Sequence, residues 1–295
     1  MSSRMTTTTF FEPWLQFKNP IVRHLAFCIA SPNILTQCPN ELKLNHHFEF
    51  HNDQTWQSFY QNYQTRLQQL DQQPQPLIDF LARLKSTRLG LRFENLLWFW
   101  LQDGDYHPYQ LLGHSIQKIA GAITLGELDF VLLNQETQEI EHWEVALKYY
   151  LGEGKLDLAQ WFGLNRQDTL HRKLKHFTER QFQFSEANQH HIQRKFAVMK
   201  GQLYLPNDLS EFVLPNWVNP SRRLGQWGTH IPTTPYYRLQ RHEWLCPDQH
   251  ASSLTAQWWT NGLYYHETPT PSFYMFRQPS LLFLNPSYSS QFFIK

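Results

Sequence analysis

Two short stretches hold residues that could do chemistry: Gly126-Glu127-Leu128-Asp129-Phe130 and Glu144-Val145-Ala146-Leu147-Lys148. Both lie inside apolar runs, TLGELDFVLLN and EIEHWEVALKYYL, that read as strands. Side chains alternate along a strand, so Glu144, Ala146 and Lys148 share one face, and Glu127 shares one with Asp129. Carboxylates and an ammonium among apolar residues are costly to bury unpaired. A hard divalent cation relieves that cost, because Mg2+ takes oxygen ligands, keeps waters, and binds through one or two carboxylates plus a substrate phosphate oxygen. Such a cation polarises phosphorus and activates bound water, while a nearby lysine stabilises charge developing on phosphate. The chemistry in view is metal-assisted hydrolysis of a phosphodiester. The plainer alternative is a buried ion pair between neighbouring strands, which stabilises little.

The surrounding elements must position these groups. LGLRFENLLWFWLQ, from Leu89, reads as an apolar helix carrying Glu94 and stopped by Asp103-Gly104-Asp105. YQLLGHSIQ then reads as a strand, and the two site-bearing strands follow it. Only Gln135-Glu136-Thr137-Gln138 separates those two, so they should form an antiparallel hairpin. From Asp168 to Gln181, Leu170, Leu174 and Phe177 mark an amphipathic helix with Asp168 as its cap. RKFAVMKGQLYLP is a further strand. The order from Leu89 is helix, three strands, helix, strand.

That order, with a helix acid, a strand Asp and a strand carrying an acidic residue ahead of a lysine, resembles the PD-(D/E)XK (restriction-endonuclease-like) superfamily. The text RLGLRFENLLWFW, TLGELDFVL, HWEVALKYYLG and the Trp161…Asn165…Asp168…Lys173 region also resembles a bacterial family catalogued as domain of unknown function 1853. The superfamily resemblance implies an α/β restriction-endonuclease-like core with a mixed sheet, and Mg2+ (or Mn2+) as cofactor. It implies Glu94 as the helix acid, Asp129 and Glu144 as metal ligands with Glu127 available to assist, and Lys148 as the catalytic lysine. Where that family has (D/E)-x-K, this chain has Glu144-x-Ala146-x-Lys148, which puts the two Cα atoms roughly 13 Å apart along a strand. Three functions are in view: a Mg2+-dependent nuclease acting on DNA or RNA, a degraded nuclease-like scaffold that binds nucleic acid or a protein partner without cutting, or a scaffold for protein assembly with the aromatic C-terminal region as its interface.

A local basic stretch favours a polyanionic partner. Arg166, Arg172, Lys173, Lys175, Arg180, Arg194, Lys195 and Lys200 face only Asp168, Glu179 and Glu186 in the same region. Arg166, Arg172, Lys173 and Lys175 are the expected phosphate contacts. The whole chain of 295 residues has a formal net charge of only +1, so the total carries no such signal.

Around the expected core at 86–206, residues 1–85 should form a mostly helical region. Its helices are IVRHLAFCIA, the Gln-rich stretch from Gln54 to about Gln73, and PLIDFLARLKSTR, with a strand at LNHHFEFH. Residues 207–295 should form an aromatic-rich β extension with short strands at YYRLQ, EWLC, SFYMFR and LLFLN. Three cysteines with no C-x-x-C pair read as reduced thiols. With no signal-like or membrane-length apolar run, the expectation is a cytoplasmic protein with no membrane partner; the sequence defines no oligomeric state. His47, Glu49 and His51 share a strand face but lack a fourth zinc ligand. Gly152-Glu153-Gly154-Lys155 lacks the Ser/Thr and spacing of a phosphate loop. Both read as structural, as does His142.

Overall fold

The computed structural model describes residues 10–208, 212–248, 257–267 and 271–277. Four helices precede the sheet: α1 (Pro20–Ala30), α2 (Asp53–Gln72), α3 (Gln75–Ala82) and α4 (Leu89–Gln102). Asn19 and Asn52 cap α1 and α2 by accepting from the N–H groups of Ile21 and Thr55. Proline at the first turn of α1 and α3 removes an N–H that would have had no helical partner.

The strands are β1 (Tyr109–Ala120), β2 (Ile123–Asn134), β3 (Glu139–Gly152), β4 (Trp161–Phe162), β5 (Glu186–Ala187), β6 (His190–His191), β7 (Arg194–Pro206), β8 (Gly225–Gly228), β9 (Tyr237–Arg238), β10 (Gly262–His266) and β11 (Ser272–Phe276). Helix α5 (Leu170–Glu179) lies between β4 and β5. Among the described residues, nine strands make one mixed sheet in the order β1-β2-β3-β7-β8-β11-β10-β9, with β4 paired to β3. β1, β2 and β3 form an antiparallel meander. β3 and β7 are parallel from Glu141↔Arg194 to Leu151↔Tyr204, joined by a crossover through α5.

Alternation along the β3/β7 pair assigns its faces. Trp143, Leu147 and Leu151 pack with Phe196 and Val198 against α1, α2 and α4. On the other face Ala146 and Tyr150 meet Ala197, Met199, and the Leu170/Leu174/Phe177 stripe of α5. The first cluster also takes in Leu239, Trp244, Leu263 and Met275, so the N-terminal helices and the C-terminal strands share one core.

Several expectations need correction. LNHHFEFH makes one parallel bridge, Glu49↔Phe196, and no strand. Glu49 bonds β7 through Lys195 and Ala197, then the edge passes to Ile34 at Met199 and to β8 at Tyr204, so each segment reads only part of it. Helix α3 ends at Ala82, short of the LKSTR tail. EWLC is a 3-10 turn over Arg241–Trp244, because Gln240 and Glu243 form a reciprocal capping box. α5 is capped by Thr169, whose hydroxyl accepts from Arg172 N–H, so Asp168 is released for another role. The LLFLN strand lies outside the described residues.

Candidate functional site

β2 and β3 stay paired from Asn134↔Glu139 to Phe130↔Trp143, then separate. Where the next rung would fall, the Asp129 carboxylate accepts the N–H of Val145 at 2.8 Å. Asp129 thus caps the fork in the sheet, and Glu144 on β3 lies on the same side. The sequence-derived faces hold here.

Glu144 is fully buried. His142 Nε2 lies 2.8 Å from its Oε1, and the Gln181 amide donates to its Oε2. Gln181 also accepts from Lys173 Nζ at 3.0 Å, linking Lys173 to Glu144 through one amide. Burial depresses His142 to a pKa of about 3, so its ring is neutral.

The cluster's charges are interdependent. Burial raises Glu144 to about 8, with the Lys173 charge opposing. Asp129, although half-buried, is raised well above the usual range, first by burial and then by the Glu144 charge; the Val145 N–H opposes and Glu94 adds to the rise. Burial lowers Lys173 to about 8, against the attraction of Glu144 and with repulsion from Lys148. Asp129 is therefore the centre on which Glu94, Glu144 and Lys173 all act.

A pH signature follows. An unfolded glutamate releases its proton near 4.5, whereas folded Glu144 keeps it to about 8. Between those values the native state binds more protons, so stability falls as pH rises and the loss is complete above about pH 8. Denaturant unfolding at pH 5 and pH 8.5 is expected to show wild type losing stability relative to Glu144→Gln at the higher pH, while His24, His51 and His142, held neutral by burial, pull both proteins alike the other way below about pH 6.5. The same stability difference between wild type and variant at both pH values would assign the slope elsewhere.

Glu94 enters from α4. Its carboxylate binds His114 Nε2 at 2.8 Å and Ser115 Oγ at 3.3 Å. The His114 ring is stacked on Trp98 at 4.2 Å and on Phe130 at 4.9 Å. Ser115 has φ of 50°, a left-handed conformation uncommon for serine, and falls where the β1–β2 register would set it opposite Asp129. Holding it there turns its hydroxyl to Glu94.

The expected lysine is placed differently. Lys148 Nζ pairs with Asp168 at 2.7 Å, further along β3, and Tyr150 donates to the other Asp168 oxygen at 3.4 Å. The lysine beside Glu144 is Lys173, which the sequence reading put among surface phosphate contacts. Its neighbours Leu170, Leu174 and Phe177 are the signal that could have found it: position 173 falls on the buried stripe of α5. Nothing comparable in the sequence marks Gln181, His114 or Ser115.

Glu127 is exposed on the β1–β2 ribbon opposite Gln117 and is not brought to Asp129. Arg166 is held by Glu153 at 2.5 and 2.8 Å and stacks 4.1 Å over Phe162. Arg172 and Lys175 are exposed on α5, with Lys175 at 3.8 Å from Glu179. His47 is exposed, Glu49 pairs with Arg194, and His51 stacks on Phe196, so these three make no ligand set.

Among the described residues, no three His, Cys, Asp or Glu side chains gather closely enough to form a ready metal cage. Two carboxylates are nevertheless what a Mg2+ site that keeps water and takes a phosphate oxygen needs. Asp129 and Glu144 offer carboxylate oxygens of that kind, and burial is the main force raising both above the ordinary carboxylate range. Among the described residues no helix is long and apolar enough to cross a membrane.

Fold and site together define a mixed α/β protein with a carboxylate–lysine cluster at a fork in its sheet. The chain belongs to the family described as Domain of unknown function (DUF1853), whose model matches residues 23–272 and so spans the whole cluster. No curated protein and no solved structure matches it.

Proposed function

We propose that the protein is a divalent-metal-dependent phosphodiesterase acting on nucleic acid, with α4, β1, β2, β3, α5 and β7 as a PD-(D/E)XK core. The observation that carries this reading is the meeting of Asp129, Glu144 and Lys173 at the β2/β3 fork, with Glu94 behind Asp129. The helix–three strands–helix–strand order around them supports it.

Asp129 and Glu144 would hold Mg2+ or Mn2+. The cation supplies Lewis-acid polarisation of the phosphate and a water of lowered pKa. Glu94 orients His114 and Ser115 on the β1 side of Asp129. Lys173, placed through Gln181, supplies the positive charge that meets charge growing on phosphate. Lys148 with Asp168 fixes the start of α5, and exposed Arg172 and Lys175 face the backbone of the substrate. Incubation of the purified chain with DNA and RNA, with Mg2+, with Mn2+ and with chelator, tests the reading. Metal-dependent cleavage supports it, and cleavage that survives chelation rejects it.

Lys173→Met is expected to slow single-turnover cleavage about 10²–10³-fold, the usual effect of removing one preorganised charge-stabilising donor. Lys148→Met is expected to cost less, since Asp168 already engages that ammonium. A reversed ranking would return the catalytic role to Lys148.

One observation favours a second reading, a scaffold that binds nucleic acid without cutting it. Ala146 stands where the PD-(D/E)XK pattern has its acidic residue, and both Glu144 oxygens already have partners in His142 and Gln181. Calorimetry decides: nucleic acid bound with no divalent cation bound at millimolar concentration selects the scaffold.

A further inference from the structure

On the α2 face of the sheet, toward the β2–β3 turn, lies a cavity of about 440 Å3. That volume is in the range of small-molecule sites, roughly 300–1,000 Å3. None of its lining residues belongs to the cluster at the fork.

Its chemistry is lopsided. Glu49, Glu136 and Glu141 line it, against the single cation Arg194. Arg194 is already committed, at 2.8 Å from Glu49 and 3.9 Å from Glu139, with its guanidinium 4.8 Å from the Phe196 ring centre. Glu141 is buried and receives only neutral donors, Asn134 Nδ2 at 2.9 Å and Trp143 Nε1 at 2.7 Å. His51, also lining the cavity, is half-buried, and its Nε2 is sealed from solvent without a hydrogen-bond partner. Acceptors and negative charge thus exceed donors and positive charge, in a space walled on one side by rings such as Phe59 and Tyr109.

We propose that this cavity binds a small organic cation carrying a guanidinium group. Carboxylates accept from a guanidinium through parallel N–H bonds, and its flat faces stack on aromatic rings. The chain already holds one guanidinium in that way, Arg194 between Glu49 and Phe196, at the edge of the same cavity. A simple ammonium would satisfy the charge but not the flat, donor-rich shape. The site is independent of the phosphodiesterase reading, and loss of either leaves the other standing.

Titration calorimetry of the full chain with agmatine, a guanidinium and an ammonium without a carboxylate, tests this, with putrescine as the diamine control. Agmatine is expected to bind with a Kd of about 1 mM or tighter, and putrescine about tenfold more weakly. Glu136 is exposed, so Glu136→Gln should leave the fold intact and weaken agmatine about tenfold. Ser58, exposed on α2 and lining the cavity, provides a steric test: Ser58→Trp should abolish binding with an unchanged melting temperature. No heat from agmatine at about 10 mM, ten times that expected Kd, would overturn the proposal. So would equal affinity for putrescine, or undiminished binding in a folded Ser58→Trp protein.

Discussion

Asp129→Asn is expected to abolish cleavage, by at least about 10³-fold, while leaving the protein folded. A thousandfold loss corresponds to about 4 kcal/mol of transition-state stabilisation, within reach of removing a charged metal ligand. The separation of effects is specific to this site. Asp129 has two tasks: it would hold the cation, and it accepts the Val145 N–H where β2 and β3 part. Asparagine keeps a carbonyl oxygen for the second task and gives up the charge needed for the first. Alanine gives up both and leaves a backbone donor without its partner, at a cost of about 1–3 kcal/mol. Asp129→Ala should therefore unfold at lower denaturant than Asp129→Asn, with both inactive. Cleavage assays beside unfolding curves read the two tasks separately. Wild-type cleavage by Asp129→Asn would remove Asp129 from the chemistry and reduce it to a cap of the fork.

The uneven legibility of the sequence has the same physical origin. Helix α4 and strand β7 were readable to their ends, because strong apolar runs met clear turn signals on either side. The β2–β3 hairpin was readable from its four-residue link, and alternation assigned faces within each strand; that Asp129 and Glu144 share a side follows from the register Phe130↔Trp143. What alternation cannot show is where two strands stop pairing. The fork depends on a side chain replacing a ladder bond, so the partner of Asp129 was invisible until the backbone was placed. For Lys173 position outweighs charge: a lysine at the spacing of the Leu170/Leu174/Phe177 stripe turns inward, whatever its type. Asp168 and Thr169 are both good caps, and the choice between them was settled by Lys148, twenty residues away in sequence. Glu127 and Asp129 do share an alternation, but the β1–β2 ribbon carries Glu127 out into solvent. Ser115 could not be read at all, since its left-handed backbone answers to a local irregularity in β1.

Gly201→Ala should produce the converse result, a large loss of stability at a residue with no chemistry of its own. Gly201 lies in β7 opposite Lys148 of β3, in the parallel pair at the centre of the sheet, with φ of 119°. A β-carbon there would sit 1.9 Å from the Lys148 carbonyl oxygen and within 3 Å of two more atoms of the same backbone. Neither strand has room to yield. Lys200, just before, is fully buried, donates to the Ser31 carbonyl and lies over Trp56; Arg222 donates to the Gly201 carbonyl at 2.9 Å. The variant must then either adopt an unfavourable backbone conformation or push β7 off β3. Strain of this kind costs about 1–3 kcal/mol before the clash is counted, so a total loss of about 3 kcal/mol or more is expected. At about 2–4 °C per kcal/mol for a chain of this size, the melting temperature should fall by about 6–12 °C. Glu144 lies four residues back along β3, beyond the point of collision, so protein that remains folded should still cleave. A melting temperature within about 1 °C of wild type would mean that β7 at this position relaxes at little cost. The closeness of the two central strands would then not be what holds Glu144 and Lys148 in place.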